Sequence, residues 1–334
     1  MSPGTPVAGP PVMQRSKLGY GLLSAALAAV LLYYSLRGVE WGRVWDTIRH
    51  ADGFFLGVAC LITCCAFLMR ACRWRILLNA GARFDLGTVF SATMAGYLGN
   101  SFLPARAGEF VRSYVISSRS TLSKTYVLTT ALSERMVDAI TLVLASSVVL
   151  LGVEPKPEWL AGVSRTTAIV AGAGLLAIAI LPHTGDLVER LLRALPMPAR
   201  LRAPLLGFAG QILLGLRTFH SVRRLAGFAS LTVVIWSLDC LTTMAGARAL
   251  GISLSFPVCL LLVTALGLGS ALPSTPGYVG IFQFVTVSVL SPFGVPRDTA
   301  LAYSFVSQAI GYVVVLALGL PAIYRIKDWR KAIS

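Results

Sequence analysis

The sequence is dominated by apolar runs that reach or approach the ~20 residues needed to cross the ~30 Å hydrocarbon core of a bilayer. These runs are Leu18–Leu36, Phe54–Met69, Tyr126–Val153, Thr166–Leu181, Leu225–Leu250, Phe256–Leu272 and Thr299–Tyr324. Charged residues make up only 13% of the chain, against roughly 25% in soluble domains. The pattern predicts an all-α, polytopic integral membrane protein.

The first run follows Arg15, Lys17 and a Pro- and Gly-rich start. It is longer than the apolar part of a typical signal peptide, and no small-residue cleavage site follows Leu36, so we interpret it as a retained helix. The sequence therefore predicts a disordered cytoplasmic tail over 1–17 and a single transmembrane domain over 18–334.

The formal net charge of +15 is typical of basic cytoplasmic loops and of attraction to anionic lipid head groups. We therefore expect membrane lipids, and not nucleic acid, as partners. The basic clusters predict a multi-pass protein of the cytoplasmic (inner) cell membrane, with both termini and a basic linker over 183–224 in the cytoplasm. A homo-oligomer and a complex with lipid-synthesis enzymes both fit the sequence.

Two apolar segments are interrupted by glycine and proline. Leu86–Pro104 contains Gly96 and Gly99, and basic residues flank it on both sides. Because both ends favour the cytoplasm, we predict a re-entrant hairpin, which is tolerated at membrane depth only inside protein or beside a wet cavity. The segment 256–290, broken at Pro273–Gly280, is predicted to enter from the opposite face.

The two broken segments resemble each other. The pattern Leu-Pro-x-x-x-Gly occurs at 103–108 and again at 272–277, which is 169 residues later, and Ser101 matches Ser270. Together with the charge rule, this predicts an inverted repeat with halves at 54–153 and 225–324, as in alternating-access transporters. The predicted hinge residues are Pro104, Gly108, Pro273, Pro276 and Gly280.

Arg106, Glu109 and Arg112 follow the first break. On a helix, Glu109 and Arg112 are neighbours at i,i+3, and the guanidinium fork suits phosphate oxygens. The alternative interpretation is a cytoplasmic loop whose arginines only enforce the topology.

The apolar stretch that follows Asp138 is too short to cross a bilayer by itself. We therefore expect Glu134, Arg135 and Asp138 to lie in the membrane or at its edge. Charges at that depth need partners. They form either a site for a head group, an ion or a proton, or a structural ion-pair network that joins this helix to the segment 106–112.

Other polar groups are weaker candidates. Arg70, Arg73 and Arg75 are typical of snorkelling side chains at a helix end, and Asp239 is either a site residue or the partner of an arginine. Helix N-termini near the second break could present N–H groups to an anion. The predicted substrate-binding residues are Asn100, Arg106, Glu109, Arg112, Glu134, Arg135, Asp138, Ser274, Thr275, Gly277 and Gln283.

Enzyme motifs are scarce. The sequence contains no GxSxG, P-loop or HExxH motif, and its three histidines are far apart. The six cysteines lack the spacing of a metal site and are interpreted as packing residues. We therefore predict no cofactor and no metal.

At three of these motifs the chain resembles the flippase-like transmembrane family of lysylphosphatidylglycerol synthases. The matching stretches begin at Gly99-Asn100, at Glu134-Arg135 and at Pro273, and together they span roughly 54–325. The resemblance implies movement of a lipid with an anionic or modified head group between leaflets. It does not imply synthase activity, because the aminoacyl-transfer domain is absent from this sequence.

Two positions depart from the pattern of that family. Tyr278 stands where the family usually has a second glycine, and Gln283 stands where it usually has glutamate. The loss of that carboxylate weakens the case for a proton-coupled or cation-binding role at 283.

The leading hypothesis is therefore a lipid flippase or transporter. The alternatives are a membrane-embedded enzyme that uses Glu109, Glu134 and Asp138 on a lipid-linked substrate, and a non-catalytic partner in a lipid- or glycan-synthesis complex. A transporter requires a polar cavity between the two broken segments, whereas an enzyme does not require the repeat.

Overall fold

The computed structural model describes residues 25–103, 107–151, 221–270 and 276–333, with isolated positions between 166 and 206. The predictions that concern the tail 1–17 and most of the linker 183–224 lie outside the described residues. Within the described ranges the chain is helical and forms no strand. The all-α prediction is confirmed for that part of the chain.

The described helices, in chain order, are α1 (Ala25–Leu36), α2 (Trp41–Arg49), α3 (Gly53–Leu78), α4 (Leu86–Phe102), α5 (Gly108–Ser117), α6 (Lys124–Leu151), α7 (Val222–Ala249), α8 (Phe256–Gly269), α9 (Ile281–Leu290) and α10 (Arg297–Ile333). Among them α3, α7 and the Arg297–Ile326 part of α10 are long and apolar enough to cross a membrane. The described part of the chain is thus all-helical and contains helices able to span a membrane, as expected. The re-entrant placement of the broken segments and their inversion stay predictions.

Aspartates fix where two of these helices begin. The Asp52 side chain accepts a hydrogen bond from the Phe54 N–H at 2.8 Å, and the Asp85 side chain accepts one from the Thr88 N–H at 2.7 Å. Both bonds satisfy amides that a helix start leaves without intrahelical partners. The two hydrogen bonds from Thr88 also hold the pKa of Asp85 below its ordinary value.

The helices pack around two long neighbours, α3 and α7, which lie side by side. The shorter helix α4 packs on α10, and α8 packs on α6. One apolar core gathers around Trp74, Leu77 and Leu78 of α3, and another around Leu262 and Leu301. Each broken segment therefore packs against the last long helix of the other half of the chain.

The first break, after α4, is held by a very close helix contact. A Cβ atom placed on Gly108 would lie 1.9 Å from the Gly96 carbonyl oxygen and 2.6 Å from Asn100 Oδ1. The Asn100 side chain also accepts a hydrogen bond from the Gly108 N–H at 2.8 Å. Only glycine permits this approach, and Asn100 satisfies the first free amide of α5.

We predict that Gly108→Ala lowers the free energy of unfolding in detergent micelles by roughly 2 kcal/mol or more, because the new methyl group has to push two backbone segments apart. Gly57→Ala is the matched control, since nothing lies within 4 Å of a Cβ atom there. It should be neutral or slightly stabilising. Equal effects of the two substitutions would contradict the close contact.

Candidate functional site

Arg73 lies at the centre of a buried polar cluster. Its side chain is 1% exposed. The guanidinium donates to Glu134 at 2.9 and 3.2 Å, to the two Asp138 oxygens at 2.6 and 2.8 Å, and to Thr232 Oγ1 at 3.0 Å. All five N–H donors of the guanidinium are therefore used. This single side chain joins α3 to α6 and α7.

The cluster extends into a closed ring of alternating charges, here called the ion ring. Its members, in order, are Arg73, Glu134, Arg112, Glu109, Arg135 and Asp138. Arg112 contacts Glu134 at 2.9 Å and Glu109 at 2.5 Å. Arg135 contacts Glu109 at 3.0 Å and Asp138 at 3.7 Å. Every acid lies between two arginines and every arginine between two acids.

Aromatic faces surround the ring. The Arg112 guanidinium lies 4.5 Å from the Trp74 ring centroid, and the Arg73 guanidinium lies 5.0 Å from that of Phe228. The desolvation cost of each buried charge is large, and full pairing offsets it. The three positive and three negative charges of the ring cancel, so the cluster adds no net charge to the protein interior.

The ring confirms some sequence interpretations and corrects another. The Glu109–Arg112 pair at i,i+3 is present, and the helix of Glu134 is joined to α5 through Arg112. The interpretation of Arg73 as a snorkelling side chain is wrong, because Arg73 turns into the protein and away from its surface. The spacing of the arginines at the end of α3 could not predict this orientation, because the acidic partners Glu134 and Asp138 lie on α6.

A cavity of about 360 Å³ lies beside the ion ring, between the two broken segments. The first segment contributes Asn100 and Ser101, and the second contributes Ser270 and Tyr278. Arg135 is the member of the ion ring that lines it. The cavity therefore receives polar groups from both halves of the chain.

A second ion pair lines the same cavity. Arg70 of α3 pairs with Asp239 of α7. The side chains are 14% and 19% exposed, more than all members of the ion ring except Arg135. Asp239 is thus the partner of an arginine, which is one of the two roles that the sequence analysis considered for it. Arg70 is a cavity residue that the substrate-binding prediction omitted.

The second break is held by neutral hydrogen bonds. The Gln283 amide oxygen accepts from the Gly280 N–H at 2.8 Å, and its NH₂ group donates to Gln308 at 2.9 Å. Gln308 in turn donates to the Gly277 carbonyl at 2.6 Å, and the Tyr312 hydroxyl donates to the same oxygen at 3.2 Å. Gln283 therefore caps α9. Its side-chain oxygen accepts from the Gly280 N–H, which is one of the groups that the sequence analysis had suggested as a donor to an anion.

Left-handed backbone accompanies this break. Gly277 has φ +70°, and Tyr278 has φ +61°. A side chain at this φ places Cβ close to the following carbonyl oxygen, at a cost of roughly 1–2 kcal/mol. This strain gives a physical reason for the glycine that the resembling family usually carries at the position of Tyr278.

The predicted site residues fall into three groups. Asn100 and Arg135 line the cavity, whereas Glu109, Arg112, Glu134 and Asp138 complete the ion ring behind it. Gly277, Pro276, Gly280 and Gln283 build the second break, as Gly108 builds the first. Pro104, Arg106, Pro273, Ser274 and Thr275 lie outside the described residues. Direct contact of any of these residues with a substrate stays a prediction.

We predict that Arg73→Leu lowers the free energy of unfolding in micelles by about 3–5 kcal/mol, because Glu134 and Asp138 each lose a buried partner. Arg73→Lys should recover little of this loss, since an ammonium group lacks the planar fork. Arg43→Leu is the control. Its ion pair with Glu40 is 70% and 61% exposed, so the effect should stay within about 1 kcal/mol. A similar small loss for Arg73→Leu would show that the ring does not stabilise the fold.

We predict that Tyr278→Gly is more stable than Tyr278→Ala by about 1 kcal/mol. Both variants remove the phenol ring, and only alanine keeps the Cβ atom in the left-handed conformation. Denaturant titration of the two purified variants measures this difference. Equal stability would place the strain elsewhere.

Comparison with known proteins supports a family assignment. Residues 21–319 match the family described as the lysylphosphatidylglycerol synthase TM region. The chain is 27% identical to glycosyltransferase AglD of Haloferax volcanii over 93% of its own length and 54% of that protein, so it spans about half of AglD. It is 23% and 21% identical to two UPF0104 membrane proteins of Methanothermobacter thermautotrophicus, over 89% and 88% of its length and 91% and 90% of theirs. The chain belongs to the family of the lysylphosphatidylglycerol synthase transmembrane region.

Proposed function

We propose that the protein is a flippase of the cytoplasmic membrane that moves a phospholipid or a lipid-linked substrate with an anionic or modified head group between leaflets. The observation that carries this proposal is the cavity between the two broken segments. It combines hydroxyl, amide and guanidinium groups with apolar walls, as binding sites for amphipathic ligands do. A head group has to be sheltered from hydrocarbon while it crosses, and this cavity is placed to shelter it.

The arrangement of helices supports an inverted repeat around that cavity. A shift of 169 residues carries α3 onto α7, α4 onto α8 and α6 onto the first part of α10. The packing follows the same shift, because α4 packs on α10 and α8 packs on α6. Equivalent elements in equivalent contacts favour two halves with one architecture.

The direction of α3 and α7 supports the inversion. At the start of α3, the Asp52 N–H donates to the Ala249 carbonyl at the end of α7, at 2.8 Å. Towards the end of α3, Arg73 contacts Thr232, which lies in the first half of α7. The two equivalent helices are thus antiparallel, as an inverted repeat requires. The short helices α4 and α8, of 17 and 14 residues, favour re-entry over a full crossing.

The alternative proposal is a role in lipid or glycan synthesis, as an enzyme or as an assembly partner. It is favoured by the similarity to AglD, a protein named as a glycosyltransferase. The geometry supports it less well, because Glu109, Glu134 and Asp138 are each paired with two arginines and are at most 8% exposed at the side chain. Carboxylates held in this way are poorly placed to exchange protons with a substrate.

Filling the cavity tests the flippase proposal. Gly311 lines the cavity on α10, and nothing lies within 4 Å of a Cβ atom there. We predict that Gly311→Leu reduces lipid movement between leaflets by about tenfold or more in proteoliposomes that contain fluorescent phosphatidylglycerol or a polyprenyl phosphate. Rapid chemical quenching of the outer leaflet measures the movement.

Gly57→Leu is the matched control. It also places a leucine at an open helical glycine, but outside the cavity lining, so transport should be unchanged. The proposal fails if the wild-type protein moves none of these lipids, or if Gly311→Leu moves them as fast as the wild type. A lipid product of altered mass would favour the enzyme instead.

A further inference from the structure

The ion pair of Arg70 and Asp239 occupies a special place between α3 and α7. The two residues are 169 positions apart, which is the same shift that relates the two halves. Where two equivalent helices cross antiparallel, a residue meets its own equivalent only at the crossing point. If the two halves form the inverted repeat of the proposed flippase, on which this inference rests, the pair of Arg70 and Asp239 lies on the pseudo-two-fold axis that relates the halves.

The surroundings of the pair are also equivalent. Phe67 and Trp236 are likewise 169 positions apart. Their ring centroids lie 5.7 Å and 5.9 Å from the Arg70 guanidinium. An aromatic ring from each half therefore lies beside the pair. At the two equivalent positions, one half has the cation Arg70 and the other has the anion Asp239.

The pair also differs from the ion ring in its partners. Each member of the ring contacts two opposite charges. Among the described residues, Arg70 forms one ion pair, with Asp239. Among the described charged side chains that line the cavity, Arg70 and Arg135 are positive and Asp239 alone is negative. Replacing that one carboxylate on Arg70 would disturb no contact of the ring.

Two buried hydrogen-bonding groups in the same cavity have no partner among the described residues. They are Trp236 Nε1 and Thr242 Oγ1, three residues before and after Asp239 on α7. Buried groups of this kind are normally satisfied by a hydrogen-bond partner, so a carboxylate oxygen that came near them would gain a contact. They are also within one helical turn of Asp239, and its carboxylate can turn to them when it leaves Arg70.

We propose that Arg70 is the anion subsite of the cavity and that the Asp239 carboxylate occupies it when no lipid is bound. The phosphodiester of an anionic lipid head group replaces Asp239 on Arg70, and the released carboxylate turns to the donors on α7. Asp239 thus acts as an internal substitute for the ligand. It keeps the guanidinium paired on both sides of the transport cycle.

Binding of a soluble lipid to the full-length protein tests this subsite. The probe is dihexanoylphosphatidylglycerol, titrated calorimetrically in an uncharged detergent, with inorganic phosphate in a parallel titration. We expect Asp239→Asn to tighten lipid binding by about tenfold, because the competing carboxylate is gone, and Arg70→Gln to weaken it by about tenfold or more. Inorganic phosphate should bind far more weakly than the lipid.

Charge exchange provides the sharpest control. Arg70→Asp alone should abolish binding, whereas Arg70→Asp combined with Asp239→Arg should restore part of it, since the arginine then stands at the equivalent position on α7. Thermal unfolding identifies variants that fail to fold. If Arg70→Gln is one of them, Arg70→Lys replaces it and should bind the lipid more weakly than the wild type.

The outcomes separate this subsite from the proposed function. Weaker binding in Asp239→Asn, failure of the double exchange to rescue Arg70→Asp, or equal binding of inorganic phosphate would overturn the subsite. Lipid binding that follows the expected order in a protein that moves no lipid would overturn the flippase proposal and leave the subsite in place.

Discussion

The rest of the structure depends on the closed ring of six charges, because it joins α3, α5 and α6 through ion pairs, and Arg73 extends it to α7 through Thr232. Buried charges in a bilayer are tolerated only when each is paired, so the ring permits few displacements of these helices. It holds Arg135 at the cavity wall, and Asn100, which also lines the cavity, fixes the start of α5 through the Gly108 amide. The polar face of the cavity is therefore positioned by groups that lie mostly behind it.

In the second half of the chain, the positions equivalent to Arg73, Glu134 and Asp138 carry neutral side chains. The positions 169 residues after Glu134 and Asp138 are Tyr303 and Ser307, and Thr242 corresponds to Arg73. Tyr303 is buried, and the break in this half is held by neutral hydrogen bonds of Gln283, Gln308 and Tyr312. One side of the cavity is therefore backed by strong ionic contacts and the other by weaker, neutral ones. If the halves rearrange during transport, the neutral half has less to break.

Much of the fold could be predicted from the sequence, since apolar runs, proline and glycine locate helices and breaks directly. The contacts within one helix, such as Glu109–Arg112, follow from spacing as well. The role of Arg73 could not be predicted, because the end of an apolar run looks the same whether its arginine turns to lipid head groups or to another helix. The Arg70–Asp239 pair illustrates the same limit: spacing along one helix says nothing about rotation against its neighbour.

The balance of charge in the ion ring has an electrical consequence. Moving one elementary charge through the membrane field involves about 2.3 kcal/mol per 100 mV. Three arginines and three carboxylates that move together carry no net charge. A movement of this part of the protein as one body would then do no work against the membrane voltage, so the ring itself would add no voltage dependence to transport.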